Sequence, residues 1–337
     1  MDWFERLTGF REVDCDATRE RLRVEGDELV SLANGSRHGI GRLELPSLRE
    51  LRRRVANAAS APRGGTVRNG VGDVRALHRA PEFEGALFQV ASQFNLLEMV
   101  SPGVSPEDGV TRYQHDPTQG PACAIAAGAA TVYRNCFVPV GEAFGQTAAR
   151  QLDALAPLGA ALSGRLGRPV SSLWSMRNGY ALCTPEGLDA IAALLRSTGE
   201  AERDALRAEL CIGLHHDVEV TDAPGPRRAR VTQAFCSALP VAYSPNGRRA
   251  WEPFARLVLE AAYEATLLAA CARRRAGGSG IVLLTRLGGG AFGNDDAWID
   301  DAIVRALRLV ESQGLDVRLV HRDRVPPAMR ALERASG

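Results

Sequence analysis

The sequence predicts an α/β protein in which helices cover the faces of a layered sheet. Short apolar segments that suit buried strands alternate along the chain with segments whose apolar residues recur at helical spacing. The clearest example is a strand at Ile281–Leu284, a helix at Asp295–Leu309 and a further strand at Asp316–His321. With 337 residues, 45% of them hydrophobic, the chain is long enough to bury such a core.

Capping residues and glycine-rich stretches also mark the elements that come before this unit. Ser47, with Glu50 three residues later, predicts a capped helix over SLRELRRRVANAA. A Gly-rich stretch near residues 61–73 predicts a loop or boundary, and ALFQVASQFN predicts a strand that ends in polar residues at Asn95. Residues 96–119 are broken by Pro and Gly into a long loop of a type that is commonly functional.

The middle of the chain continues the alternation. GPACAIAAGAATVYRN is a small-residue helix or strand, and RNGYALCTPEGLDAIAALL reads as a strand and a capped helix. RVTQAFCSALPVAYS predicts a buried strand, and PFARLVLEAAYEATLLAACARRR predicts a long amphipathic helix. We therefore expect an N-terminal addition packed on the core over residues 1–73, a main domain over 74–325 with an insertion at about 128–175, and a tail over 326–337.

Charge and composition exclude several functions. The 41 basic and 40 acidic residues give a formal net charge of +1, which predicts no direct nucleic-acid partner and no acidic membrane surface. Every basic residue is arginine, so mechanisms that need a Schiff-base or phosphate-loop lysine are excluded. No apolar stretch reaches membrane-spanning length, and the amino end lacks a signal-peptide pattern.

The cysteines have no spacing of the zinc type and are predicted to be buried free thiols. They are Cys15, Cys123, Cys136, Cys183, Cys211, Cys236 and Cys271. The simplest expectation is a cytoplasmic protein.

The segment IVLLTRLGGGAFGNDDAWIDDAI places a glycine-rich turn between a strand and a helix. Unpaired backbone N–H groups in such a turn, together with the positive end of the helix dipole, can hold an anion. The glycines match neither the phosphate-loop pattern nor the G-x-G-x-x-G turn of dinucleotide-binding proteins. The alternative is a tight turn in which glycine only supplies positive φ angles.

Several motifs, taken in order, resemble the macrodomain family of ADP-ribose-binding α/β/α modules. SQFN resembles the family's asparagine strand, and VTQAFCSALP, RNGYAL and LVLEAAYEATLLAA resemble its other strands and its long helix. The loop GGGAFGND is most similar to that of the poly(ADP-ribose) glycohydrolase branch. The resemblance covers residues 75–325 and implies a three-layer α/β/α mixed sheet that binds ADP-ribose or NAD and requires no cofactor.

The resemblance also implies which residues bind the ligand. Asn95 would hydrogen-bond ribose hydroxyls, and Phe292 would lie near the distal ribose. The residues expected to surround the diphosphate are Gly288, Gly289, Gly290, Ala291, Phe292, Gly293 and Asn294.

One part of the family pattern is missing. Glycohydrolases carry Gly-Gly-Gly and then Gln-Glu-Glu after the asparagine strand, whereas the matching position here is Thr118-Gln119-Gly120, without adjacent carboxylates. Cleavage of a ribosyl bond needs a carboxylate or polarised water and an acid for the leaving group. The nearby candidates are loop charges, including Glu98, and we expect the catalytic groups among Asp108, Arg112, Asp116 and Gln119.

Other candidates have weaker patterns. Adjacent histidines on a strand point to opposite faces, so His215 and His216 are not expected to share a metal ion. Trp174, Tyr180 and Tyr243 suit either stacking on adenine or the core. The run RRAR from Arg227 is predicted to be a solvated loop.

Three functional hypotheses remain open from the sequence. The chain could be an enzyme acting at the ribose anomeric carbon, or a non-catalytic reader of ADP-ribosylated protein or free ADP-ribose. The third hypothesis is an enzyme of specialised metabolism that uses the cleft for another nucleotide. All three give the protein a small nucleotide diphosphate or an ADP-ribosylated protein as its partner.

Overall fold

The computed structural model of the protein describes residues 1–56, 64–223, 225 and 228–333. The strands are β1 (Leu22–Glu25), β2 (Glu28–Ser31), β3 (Arg37–Gly39), β4 (Arg42–Glu44), β5 (Thr66–Val71), β6 (Leu87–Ala91), β7 (Pro139–Val140), β8 (Ala143–Phe144), β9 (Trp174–Arg177), β10 (Tyr180–Cys183), β11 (Gly213–Glu219), β12 (Arg230–Cys236), β13 (Ile281–Leu284) and β14 (Asp316–His321).

The helices are α1 (Trp3–Thr8), α2 (Cys15–Arg21), α3 (Leu48–Ala56), α4 (Val74–Arg79), α5 (Gln119–Ala126), α6 (Gly128–Cys136), α7 (Ala156–Leu166), α8 (Val170–Leu173), α9 (Pro185–Ser197), α10 (Glu200–Arg207), α11 (Arg248–Arg275), α12 (Asp296–Leu309) and α13 (Pro327–Arg330). Short 3-10 helices lie at Pro81–Phe83, Pro106–Asp108, Thr111–His115 and Val241–Tyr243.

A seven-stranded mixed sheet forms the centre, in the order β4-β11-β12-β6-β13-β14-β5. The five strands from β12 to β5 are parallel, whereas β11 runs antiparallel to both of its neighbours. The carboxyl ends of the five parallel strands therefore meet at one edge of the sheet. In open α/β sheets this edge is where ligands bind.

Helices cover both faces of the sheet, as two neighbouring residues of β6 demonstrate. The ring of Phe88 stacks on His78 of α4 with centroids 3.8 Å apart, while the amide of Gln89 donates to Thr266 of α11 at 3.1 Å. Because successive side chains of a strand point to opposite faces, α4 and α11 lie on opposite sides of the sheet. The predicted three-layer α/β/α architecture with a mixed sheet is confirmed.

Local sequence signals locate several elements accurately. The predicted strands at Ile281–Leu284 and Asp316–His321 have these bounds, and the helix between them begins at Asp296, with Asp295 as its N-cap. The capping box at Ser47 and Glu50 is present and starts α3. The helix predicted from Ser47 is observed to residue 56, and residues 57–59 of that prediction lie outside the described residues, as does Arg227.

The N-terminal residues build a second hydrophobic core beside the sheet. Trp3, Phe4 and Phe10 pack with Leu97 and Val132, which belong to the long loop after β6 and to α6. The sheet also takes in two strands from this part of the chain, β4 and β5. The domain boundary at residue 73 stays a prediction.

The cysteine prediction needs a correction. Cys15 of α2 and Cys136 of α6 form a disulfide across a sequence separation of 121 residues, with Cα atoms 5.3 Å apart. Spacing along the chain could not reveal this pairing, because it depends on α2 packing against α6. The other five cysteines are free thiols, of which Cys211 is half-buried and the rest are buried.

None of the helices in the described residues combines the length and apolar character that crossing a membrane requires.

Candidate active site

A cleft opens where the parallel strands end. Its lining includes Ala91 at the end of β6, Ser92 after it, Thr285 after β13 and Asp73 after β5. Strands β6 and β13 separate at this edge: β13 pairs with β6 only at Leu87 and Phe88, and the rest of β6 has no partner in β13. The opening is therefore a consequence of the sheet topology.

The cleft has two adjoining chambers. The Glu98 chamber, lined by Glu98, Arg112 and the glycine-rich turn, has a volume of about 600 Å³. The Asp73 chamber, lined by Asp73, Phe88 and Arg322, has a volume of about 520 Å³. Asp116, Thr118, Gln119 and Thr285 line both chambers, so the two form one elongated cleft. Its size suits a ligand as large as a nucleotide.

The glycine-rich turn presents backbone rather than side chains to the cleft. Gly288, Gly290, Ala291 and Phe292 line the Glu98 chamber, and in the described part of the chain their N–H groups donate to no acceptor. Unpaired N–H groups in a turn of this kind suit an anion. The helix end contributes less than predicted, because the side chain of Asp295 caps it by accepting from Ala297 N at 2.9 Å.

The other glycine-loop residues shape the turn. Gly289 N donates to Arg286 O, and Gly293 N donates to Gly290 O. The amide of Asn294 donates to Leu239 O at 2.8 Å, which ties the turn to the segment after β12. Gly289, Gly293 and Asn294 are not part of the cleft lining.

Asn95 lies behind the cleft rather than in its lining. It is fully buried, its Nδ2 donates to Gln151 at 2.9 Å, and its Oδ1 accepts from Leu97 N at 3.1 Å. Gln151 in turn donates to Asn178 at 2.8 Å. In this structure Asn95 therefore supports the loop that follows β6.

The predicted catalytic residues occupy different positions. Asp108 is exposed, lies outside the cleft lining and caps the 3-10 helix at Pro106 by accepting from Ser105 N at 2.8 Å. Arg112 and Asp116 do line the cleft. One oxygen of Asp116 accepts from Thr118 N at 2.9 Å, which leaves the other oxygen free for a ligand.

Gln119 lines the cleft, but its amide is occupied by β6. Its oxygen accepts from Ala91 N at 2.9 Å, and its nitrogen donates to Gln89 O at 2.8 Å. The side chain thus hydrogen-bonds the edge of β6 where β13 has diverged. This role is structural, since both ends of the amide are engaged by the backbone.

Glu98 is a residue of the Glu98 chamber lining whose two carboxyl oxygens are buried from solvent. Its side chain is 1% exposed, and neither oxygen has a hydrogen-bond partner in the described residues. The nearest cation is Arg134, at 3.6 Å, itself fully buried. Burial raises the pKa of Glu98 to about 8, because the opposing attraction of Arg134 is weaker than the loss of water.

Arg134 is fixed by its other neighbours. It donates to Leu96 O at 3.1 Å and Thr131 Oγ1 at 3.1 Å, and its guanidinium lies 3.9 Å from the centre of the Phe235 ring. Its sequence context, TVYRN in a small-residue segment, gave no sign of this burial.

Three aromatic rings stand together in the Glu98 chamber. Tyr180 lies 5.2 Å from both Tyr243 and Phe292, measured between ring centres. Tyr243 and Phe292 are only partly buried, so both can contact a ligand. Trp174 instead belongs to the core, against Phe254.

Asp73 is a cleft residue that the sequence interpretation missed. It follows β5 and caps α4 by accepting from Arg75 N at 2.9 Å. The sequence pattern that indicates this position is a strand, then Gly72 and Asp73, then a helix. The same pattern, a strand followed by a glycine-containing turn and a helix, led to the prediction of the glycine-rich turn as a binding site. For residues 61–73 the sequence predicts only a loop or boundary.

The adjacent histidines point to different partners. The ring of His215 contacts Arg134 at 3.3 Å, whereas that of His216 contacts Glu44 at 2.9 Å. Among the described residues there is no group of three or more His, Cys, Asp or Glu side chains that could hold a metal ion.

No family model and no curated protein match this sequence. Among solved structures, it is similar to poly(ADP-ribose) glycohydrolase from Thermomonospora curvata, with 16% sequence identity, 94% of each chain covered and a TM-score of 0.44. It is also similar to the Deinococcus radiodurans glycohydrolase in complex with ADP-ribose, with 15% identity, 96% of each chain covered and a TM-score of 0.45.

Proposed function

We propose that the protein binds a nucleotide diphosphate of the ADP-ribose or NAD type along this cleft. The observation that carries the proposal is the set of four unpaired N–H groups at Gly288, Gly290, Ala291 and Phe292, all on residues that line the Glu98 chamber. Such groups can hold a diphosphate at close range without a lysine, which this chain lacks.

The rest of the cleft suits the remainder of such a ligand. Arg112 in the same chamber can add a bidentate contact to a phosphate. The Asp73 chamber, which Asp73 lines, can accept a base that carries an amino group. The Tyr243 and Phe292 rings can contact the distal ribose or the group attached to it.

We further propose that the protein is an enzyme that acts at the anomeric carbon of the distal ribose. Glu98, His115 and Asp116 line the Glu98 chamber, so acid and base groups are available beside the bound ribose. Asp108 and Gln119 contribute less in this proposal, since Asp108 lies outside the lining and the amide of Gln119 bonds to β6. The missing pair of adjacent carboxylates favours the second candidate, a reader that binds ADP-ribose without turnover.

Calorimetric titration tests the binding proposal. ADP-ribose and NAD are titrated into the protein, with AMP and ribose 5-phosphate as controls that lack the diphosphate. We expect micromolar affinity for ADP-ribose and at least tenfold weaker binding of both controls. Equal affinity for AMP and ADP-ribose would exclude a diphosphate site at the glycine loop.

Product analysis then separates the enzyme from the reader. The same mixtures, and an ADP-ribosylated protein, are assayed for released nicotinamide or free ADP-ribose. Binding with release supports the enzyme, and binding without release supports the reader. Binding of a different nucleotide diphosphate in preference to both ligands would favour an enzyme of specialised metabolism.

A further inference from the structure

We infer that Tyr263 of α11 is a positioning residue for the glycine-rich turn, and that its hydroxyl holds the start of the turn so that the N–H groups that follow face the Glu98 chamber. The inference rests on the proposed function, in which those N–H groups bind a diphosphate. It deepens that proposal by naming a residue outside the cleft lining on which recognition of the phosphate groups depends.

The start of the turn does not obtain its position from strand pairing. Strand β13 pairs with β6 only at Leu87 and Phe88, and it pairs with β14 up to Leu284. Thr285 and the residues directly after it therefore extend beyond the paired part of β13, where they line the cleft. Contacts from another element must hold them there.

Tyr263 supplies this contact through one hydroxyl group. Its Oη donates to Thr285 O at 2.7 Å and accepts from Leu287 N at 2.8 Å. Leu287 N also donates to Thr285 O at 3.0 Å, so the hydroxyl closes a set of three hydrogen-bonding groups around Arg286. A hydroxyl can donate one hydrogen bond and accept others, and both capacities are used here. The backbone is thereby fixed directly before Gly288, the first of the four residues with unpaired N–H groups in the described part of the chain.

The hydroxyl of Tyr263 is shielded from water. The side chain is fully buried, and burial raises its pKa above the ordinary value of 10, so the hydroxyl stays protonated and can donate at neutral pH. The bond that it accepts from Leu287 N is buried as well. In the protein interior such a bond is electrostatically stronger than the same bond in water.

Two other side chains hold the same stretch less directly. The amide oxygen of Gln89 on β6 accepts from Thr285 N at 3.3 Å. The side chain of Arg286 is turned to α12, where it forms ion pairs with Asp300 and, at 2.7 Å, with Asp296. Of these three side chains, Tyr263 alone bonds two backbone groups of the turn, and its hydrogen bonds are shorter than that of Gln89.

The glycines and Tyr263 have separate tasks. Gly288 and Gly293 have positive φ angles of 75° and 69°, which give the turn its shape. Tyr263 places that shape relative to the sheet, because Thr266, three residues later on the same face of α11, accepts from the amide of Gln89 at 3.1 Å. One face of α11 thus joins the turn to β6 at the edge where β13 and β6 have separated.

The first experiment titrates ADP-ribose, and adenosine as a ligand without phosphate, into the wild type and Tyr263→Phe. The variant keeps the ring and removes the hydroxyl, so we expect ADP-ribose to bind about tenfold more weakly and adenosine affinity to change less than about threefold. Tyr133→Phe removes a hydroxyl on α6, outside the cleft lining, and is the matched control. It should bind both ligands as the wild type does.

Two results of the titration would overturn the inference. An unchanged ADP-ribose affinity would show that the hydroxyl does not position the turn. Equal losses for ADP-ribose and adenosine would show that Tyr263 supports the fold as a whole. A wild type that does not bind ADP-ribose would instead refute the proposed function.

A second variant compares the two side chains that contact Thr285. Gln89→Met removes the acceptor of Thr285 N, and because this hydrogen bond is the longer one, the variant should lose less ADP-ribose affinity than Tyr263→Phe. A larger loss in Gln89→Met would assign the positioning role to Gln89 and overturn the inference.

Hydrogen exchange tests the contact with the turn in the absence of any ligand. In Tyr263→Phe we expect the amides of Leu287 and Gly289 to exchange about tenfold faster, while those of Val282 and Leu283 in β13 change less than about threefold. Equal acceleration in the turn and the strand would indicate a general loss of stability, and no acceleration at Leu287 would exclude the positioning role. Either result would overturn the inference whether or not ADP-ribose binds, so its failure is distinguishable from that of the proposed function.

Discussion

Two of the segments that line the Glu98 chamber are built in different ways. The glycine-rich turn, Thr285–Asn294, is closed by hydrogen bonds between near neighbours, such as Asn294 N to Gly288 O, and is tied to the segment after β12 through Leu239 O. The Glu98 segment, residues 96–119, is held by groups far away in sequence. Trp3 donates to Thr111 O at 3.2 Å, and Glu12 accepts from Val110 N at 3.0 Å.

Under the proposed function, the glycine-rich turn would bind the anion and the Glu98 segment would supply the chemistry. A turn that binds through N–H groups can be specified by a few consecutive residues, because glycine alone permits the required backbone. A buried acid needs a low-polarity site and a distant cation, and those come from tertiary packing. We therefore expect substitutions in the two segments to have distinct signatures, as follows from the largest effect to the smallest.

Removing the cation behind the Glu98 segment should have the largest effect on stability. Arg134→Leu leaves Leu96 O and Glu98 without their buried partner, and we expect a loss of about 3–5 kcal/mol in the free energy of unfolding. Urea denaturation measures it, with Arg165→Leu on the exposed face of α7 as the control. A loss below about 1 kcal/mol would mean that Arg134 is not what supports this segment.

A methyl group at Gly288 should break the glycine-rich turn. Gly288 has φ +75°, and a Cβ there would lie 2.4 Å from Ala238 Cβ, so we expect Gly288→Ala to cost about 2 kcal/mol or more. ADP-ribose affinity should fall at least tenfold in calorimetry. The matched control is Gly290→Ala, whose Cβ would meet no atom within 4 Å. Equal stability of the two variants would contradict this account of the turn.

A substitution at Gln119 tests whether this cleft residue stabilises the fold by hydrogen-bonding β6 rather than taking part in catalysis. Gln119→Met leaves Ala91 N and Gln89 O unpaired at the edge of β6, and we expect a loss of about 1–3 kcal/mol. Gln114→Met, at an exposed glutamine nearby, should be close to neutral. An unchanged unfolding curve combined with lost turnover would restore Gln119 as a catalytic candidate.

Arg112 should contribute the smallest effect. Its side chain is 41% exposed and forms an ion pair with Asp108, with the two charged groups 3.6 Å apart. We therefore expect Arg112→Gln to weaken ADP-ribose binding by about two- to fivefold. The effect should diminish at high salt and be absent for neutral adenosine. Arg165→Gln serves as the control for charge alone. A loss of the same size for adenosine would show that Arg112 acts on the fold rather than on phosphate.

The sequence predicted well whatever depends on neighbouring residues. The layers, the capping box at Ser47 and the strand that leads into the glycine-rich turn were all readable from local patterns. The cleft could not be predicted in this way, because what distinguishes Glu98 from an exposed loop glutamate is burial among residues distant in sequence, including Arg134 and Tyr113. Asn95 likewise matches its motif in sequence, yet Gln151 engages its amide in the folded chain.

The second hydrophobic core has a consequence for hydrogen exchange. Because Trp3 and Phe4 pack with Val110 and Tyr113, the N-terminal helix and the Glu98 segment should open together as one cooperative unit. Amides such as Val110 N, bonded to Glu12, would then exchange sooner than those of the central strands. In such a partially open state, the glycine-rich turn would persist while the Glu98 side chain was already exposed to water.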